Sequence, residues 1–269
     1  HIECGIAEQQ MVSCSGGLSL NGFVPFCSTF GAFMSSRAKD QARVNDINQT
    51  NVKMVATHCG LSVGEDGPTH QAIDDLGSFL GFPNTMLIEP ADPNHCDRII
   101  RYIAEHYGNF YVRMGRHKIP VLTKEDGTEF YGTSYAYEYG KCDLLRKGDD
   151  VTIVTAGSTA TEALSAHGEL AKAGINAEIV IASSVKKFDS TIIKSIKKTK
   201  KVLVVQDHHV DCGLGNQLAS HMTQNNISAE KFEILGVQDY QLSGTSADLY
   251  KDVGIDSSGI VRAVKKMVK

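Results

Sequence analysis

The sequence predicts an α/β protein of two domains, each a mostly parallel sheet with helices on both faces. Three observations carry this. Short apolar runs alternate with helix-like stretches along nearly the whole chain. The runs are continuously apolar, the mark of strands buried on both faces of a sheet. The alternation lapses once, from Gly115 to Gly140, where a proline, four glycines and a cluster of tyrosines interrupt it. A length of 269 residues fits one large domain or two ordinary ones. Size scaling gives roughly 11,000 Å² of folded surface against about 42,000 Å² unfolded, enough burial to need no disulfide or metal staple.

The elements follow in order. A helix starts near Glu8 and runs through small residues to Leu20. Val24–Thr29 reads as a strand, Ala32–Asn48 as a helix with a charged face, and Val52–His58 as a strand. A glycine-rich loop leads to a helix near His70–Leu80. Thr85–Pro90 is a strand, Pro93–Tyr107 a helix and Phe110–Met114 a strand. After the lapse, read as a linker with a short hairpin, come a strand at Asp150–Gly157, a helix at Ser158–Ala173 and a strand at residues 177–183. A helix at Ser190–Lys198, a strand at Lys201–His208, a helix at Gly213–Gln224, a strand at residues 230–237 and a final helix at Ser257–Met267 complete the reading.

Composition excludes several classes. Net charge is −4, so no global basic field exists for nucleic acid; the basic run Lys194–Lys201 reads as a solvated helix face. No run of eighteen apolar residues predicts a membrane span. The opening ten residues have neither the basic nor the apolar region of a secretory signal. Seven scattered cysteines without a CxxC pair point to reduced thiols in a cytoplasmic setting and against a zinc site.

Three segments carry candidate chemistry. In Gly5–Met11, Glu8 opens a helix, where a carboxylate complements the helix N-terminus whatever else it does. Thr57–Gln71, THCGLSVGEDGPTHQ, sits after one strand and before the next helix, at the carboxyl end of the sheet where open α/β folds bind ligands. Its glycines allow close backbone approach, and His58 and His70 can transfer protons near neutral pH. A surface turn with an exposed His70 is the plain alternative. Phe30 and Phe33 share a helical face, which by itself describes core as well as a ligand platform. The histidine pair in Gln206–Asn216, QDHHVDCGLGN, reads as structural.

The order GIAEQ, PFCSTF with RAKDQ, then the loop with GEDGPTH, then a strand leading to Arg116 resembles the transketolases. Deoxyxylulose-phosphate synthases and the β chains of oxo-acid dehydrogenases share the architecture but not this loop. The resemblance spans the chain and implies a pyrimidine-binding domain at 1–120 without its first strand, a linker at 121–134 and a C-terminal domain at 135–269. It implies thiamine diphosphate as cofactor, with Glu8 on the pyrimidine ring nitrogen and Phe30 and Phe33 lining the pyrimidine pocket. Catalytic roles fall to Glu8 and His70. Sugar contacts fall to His58, Asp66 and His70, and the sugar phosphate to Arg116. Two departures count. Ser36 stands where many relatives carry an aromatic residue, and KKFD (Lys186–Asp189) replaces a KPLD-like turn.

A third departure is larger. No GDG…N stretch for magnesium and diphosphate is present. No metal site is therefore expected in this chain, and the divalent ion is expected in a partner carrying the N-terminal, diphosphate-binding half. The chain then corresponds to the C-terminal half of a transketolase, either a subunit of a split enzyme lacking its first residues or a piece of a longer chain. A homodimer of this half within a larger assembly is expected, acting on sugar phosphates. A non-catalytic assembly subunit, or a related thiamine enzyme with another acceptor, is the alternative.

Overall fold

The computed structural model describes residues 1–269. The first domain runs α1 (Glu8–Leu20), β1 (Phe26–Phe30), α2 (Gly31–Ser36), α3 (Lys39–Ile47) and β2 (Lys53–Thr57). Two 3-10 turns follow at Leu61–Asp66 and Pro68–His70, then α4 (Asp75–Leu80), β3 (Thr85–Ile88), α5 (Pro93–Glu105) and β4 (Asn109–Arg113). The second runs β5 (Asp143–Arg146), β6 (Val151–Thr155), α6 (Thr159–Lys172), β7 (Ala177–Ile181), α7 (Ser190–Thr199) and β8 (Lys201–His209). It closes with α8 (Leu214–Gln224), β9 (Lys231–Val237), α9 (Ser246–Val253) and α10 (Ser257–Val268).

The first sheet has four parallel strands in the order β1-β2-β4-β3. The second has the order β5-β7-β6-β8-β9, parallel except for the antiparallel edge strand β5. Burial explains the apolar runs: all five residues of β4, β6 and β7 are buried. Caps fix several helix starts. The Asp92 side chain accepts from His95 N before Pro93 opens α5, and Asp189 and Asp256 do the same for α7 and α10.

Two expected helices are corrected and two elements are added. The helix expected over Ala32–Asn48 is two, broken at Arg37–Ala38, because Ala38 leaves the helical region and α3 restarts beyond it. The helix expected from His70 begins at Asp75, since residues before it are drawn into a parallel bridge between Cys59 and Ala72. Edge strand β5 and helix α9 have no counterpart among the expected elements. The linker is packed and not free: it forms the expected hairpin (a Thr123–Glu129 bridge), and its Leu122 and Tyr131 are fully buried.

A buried ionic joint ties the domains together. Arg113, at the end of β4, donates through Nε to both Asp75 oxygens (3.0 and 3.1 Å) and through Nη1 to Glu89 (2.5 Å). Its Nη2 reaches the carbonyls of Ala72 (2.9 Å) and Asp207 (2.8 Å), the latter in the second domain. Tyr111 donates to Asp75 and Tyr250 to Asp207. Burial works against the Arg113 charge, but Asp75 and then Glu89 outweigh it and hold the guanidinium protonated.

Candidate functional site

The site forms at the carboxyl ends of β1 and β2. In their parallel register Phe30 lies opposite Thr57, and His58, one residue beyond, turns its ring onto that of Phe30. The two rings stack with centroids 3.8 Å apart and planes within 10°. Phe33, one turn into α2, lies parallel to Phe30 with centroids 6.0 Å apart. His70 stands edge-on to both, 6.0 Å from Phe30 and 5.2 Å from Phe33. Both loop ends thus return to one aromatic wall. This demands that α2 lie close under the loop: a Cβ on Gly31 would sit 2.4 Å from the Cys59 sulfur.

His58 occupies the left-handed region at φ 56°, a strained conformation for a residue with a Cβ. Its stack on Phe30 and a 2.9 Å contact from Nδ1 to the Thr57 hydroxyl hold it there. His70 mirrors this with Nδ1 2.8 Å from the Thr69 hydroxyl. In both rings Nε2 is left for an outside partner. Burial first, then the Arg116 charge, pushes the His58 pKa below the ordinary histidine value, with Asp66 opposing. His58 is therefore neutral at neutral pH, able to accept a proton or a hydrogen bond.

Glu8, the first residue of α1, is buried, and its carboxylate meets Arg37 with both oxygens 3.4 Å from Nη1. The Arg37 guanidinium also lies over the Phe33 ring, 4.2 Å from its centroid. A carboxylate, a guanidinium and an aromatic wall thus meet in one corner. Glu8 also borders a groove of about 490 Å³ between the N-terminal segment, α1 and β1. Arg116 lies across the loop. Its Nη1 donates to the Val63 carbonyl (2.7 Å) and to Glu65 (3.2 Å), and sits 3.7 Å from Asp66.

The structure therefore gathers Phe30, Phe33, His58 and His70 into one wall, connects Glu8 to it through Arg37, and pairs Asp66 with Arg116 beside it. Arg37 is the site residue that sequence reasoning misses; its spacing of four from Phe33 along a helix is the available signal. No group of three or more His, Cys, Asp or Glu side chains is arranged to hold a metal ion.

Residues 1–121 match the family model described as Transketolase, pyrimidine binding domain, and residues 140–260 that described as Transketolase, C-terminal domain. The chain belongs to the transketolase family. It is 33% identical to one subunit of the apulose-4-phosphate transketolase of Actinobacillus succinogenes, over 97% of this chain and 82% of that one. It is 34% identical to human transketolase over 99% of its own length, which is 42% of the human protein. Among solved structures it resembles a split-gene transketolase described as an inactive β4 tetramer, with a TM-score of 0.85, 32% identity, and coverage of 98% of this chain and 82% of that one. In domain content this transketolase chain thus corresponds to the C-terminal section of its full-length relatives.

Proposed function

We propose that this chain supplies the pyrimidine side of a transketolase active site and transfers a two-carbon ketol unit between sugar phosphates once joined to a diphosphate-binding half. The observation that carries the reading is the corner formed by Glu8 and the Phe33–Phe30–His58 wall. A buried carboxylate beside a stack of aromatic rings suits an aminopyrimidine, which donates to the carboxylate from a protonated ring nitrogen and offers a flat face to the rings. The pyrimidine half of thiamine diphosphate fits this donor set, whereas no group of three or more His, Cys, Asp or Glu side chains is arranged for its metal ion, and the diphosphate and the metal are assigned to the other half.

Bound there, the cofactor would supply the electron sink that makes cleavage next to a carbonyl feasible. This chain's residues do the rest. Glu8 hydrogen-bonds the pyrimidine nitrogen and sets its protonation. Phe30 and Phe33 hold the ring. His58 and His70 present Nε2 to sugar hydroxyls, and His70 moves a proton at the reacting carbon. Asp66 orients a hydroxyl, and Arg116 takes the sugar phosphate in a charge-assisted fork. Ser36 leaves the pocket more open than an aromatic residue would.

Exposed apolar side chains on and around α1 and β1, among them Ile6, Leu20 and Phe23, support an interface with a second copy or the other half. The split-gene relative, inactive as a tetramer of its β chains, supports a half that needs its complement. The test is a ketol-transfer assay on this chain with and without a co-expressed diphosphate-binding half. Transfer only with both present supports the reading. No transfer from the assembled pair favours a non-catalytic assembly subunit.

A further inference from the structure

The C-terminal domain grips the loop that runs between the wall residues. Asp207, near the end of β8, places its carboxylate against the backbone of that loop: Oδ1 accepts from Leu61 N at 2.8 Å and Oδ2 from Ser62 N at 3.3 Å. It can reach across because the β8–β9 register breaks between Val205 and His209, which frees this stretch from the ladder. The approach is so close that a Cβ on Gly60, at φ 71°, would lie 2.1 Å from the carboxylate. Only glycine serves there.

Three further clasps act on the same loop from the same domain. Ser246 donates to the Ser62 carbonyl at 3.1 Å. Gln71 and the Gln241 backbone exchange two hydrogen bonds, of 2.8 and 2.9 Å. His209 N donates to the Ile73 carbonyl at 2.7 Å. Asp207 is itself fixed by the Tyr250 hydroxyl at 2.8 Å and by Arg113 on its carbonyl. The clasped span, Leu61 to Ile73, carries Asp66 and His70, and His58 lies just before it.

We propose that Asp207 is a positioning residue: the C-terminal domain uses its carboxylate to fix the loop that presents His58, Asp66 and His70, and so governs sugar affinity without touching the sugar. This rests on the reading of that loop as the sugar-facing one. A loop held by two backbone N–H groups on one carboxylate is pre-organised, and preorganisation appears as affinity.

The test is Asp207→Asn in the full chain, read first by hydrogen exchange. The amide keeps the shape but can accept from only one of the two N–H groups. Exchange at Leu61 and Ser62 should quicken about 10- to 100-fold, the range for one charge-assisted bond, while β6 and β7 stay protected. In the assembled enzyme the sugar-phosphate KM should rise about tenfold with kcat within a few-fold. Unchanged loop exchange would overturn the clamp, and faster exchange with an unchanged KM would overturn its positioning role. Ser246→Ala, at a partly exposed site, gives the same readout at smaller amplitude if the first variant does not fold; no change there counts against the proposal. A wild-type assembly without ketol transfer would instead sink the functional reading, with exchange still deciding the clamp.

Discussion

Arg37 sits on Glu8 and Phe33 at once, 3.4 Å from both Glu8 oxygens and 4.2 Å from the Phe33 ring centre. A guanidinium is flat and donates N–H bonds, so here it makes the two contacts expected of a bound aminopyrimidine. The pair is long and the arginine is half exposed, so screening leaves it well under 1 kcal/mol of stability. Glu8 is therefore placed for chemistry more than for folding. In the assembled enzyme, Glu8→Gln should lose about 10²- to 10⁴-fold in turnover, the usual loss for a positioned acid–base group, with an unchanged melting temperature. Near-normal turnover at saturating cofactor would remove Glu8 from its assigned role.

Arg116→Ala should act selectively on phosphorylated sugars. Its guanidinium rests on a backbone carbonyl and on Glu65, itself mostly exposed, so a phosphate can take over these donors. Losing one charge-assisted bond, about 1.5–3 kcal/mol, gives roughly a ten- to 150-fold fall in kcat/KM. Most of it should appear in KM, since the phosphate is held alike in ground and transition states. Steady-state kinetics with a phosphorylated and a non-phosphorylated donor separate the cases: equal losses would move the phosphate site elsewhere.

The joint around Arg113 makes the opposite prediction, large in stability. Arg113, Asp75 and Glu89 are all buried. Arg113→Met would leave two carboxylates without their cation, and breaking such a pair costs about 3–5 kcal/mol. Urea unfolding should show a loss of that order. A loss below about 1 kcal/mol would mean that the carboxylates are neutral without it.

His95 gives stability a pH dependence of known sign. It is fully buried, stacked 3.9 Å from Tyr131, with Nε2 unpaired, and burial lowers its pKa to about 3. The unfolded chain protonates near 6.5, so this contribution is whole above pH 6.5 and drains away as pH falls from there toward 3. Between about pH 7 and pH 5.5 the wild type should lose about 1 kcal/mol more than His95→Gln. Denaturant titrations at the two pH values measure it; parallel losses would show that His95 is protonated in the folded state.

Much of the architecture is legible because buried parallel strands announce themselves. VTIVT and KMVAT can be little else once helices flank them. β5 is hidden because Asp143–Arg146, DLLR, is too short and too charged at its ends to show a pattern. Helix α9, SADLYKDV, is masked by its polar face. The aromatic wall follows from motif resemblance, while the link from Arg37 to Glu8 needs coordinates, since the two lie 29 positions apart. The ionic joint escapes the sequence reading altogether. One signal exists: the apolar strands NFYVR, TMLIE and KVLVVQD each run into a charge at the carboxyl end, which places Arg113, Glu89 and Asp207 at the same level of two sheets.

If this chain holds half of a cofactor site, the decisive measurement is calorimetric titration of magnesium and thiamine diphosphate. It is run on this chain alone, on the diphosphate-binding half alone, and on the two together. This chain by itself should show no useful affinity, because no side-chain group here is arranged to hold the magnesium ion that accompanies the diphosphate. The mixture should bind tightly, and Glu8→Gln should weaken that binding. Micromolar binding by the isolated chain would mean that the site is not divided between two halves.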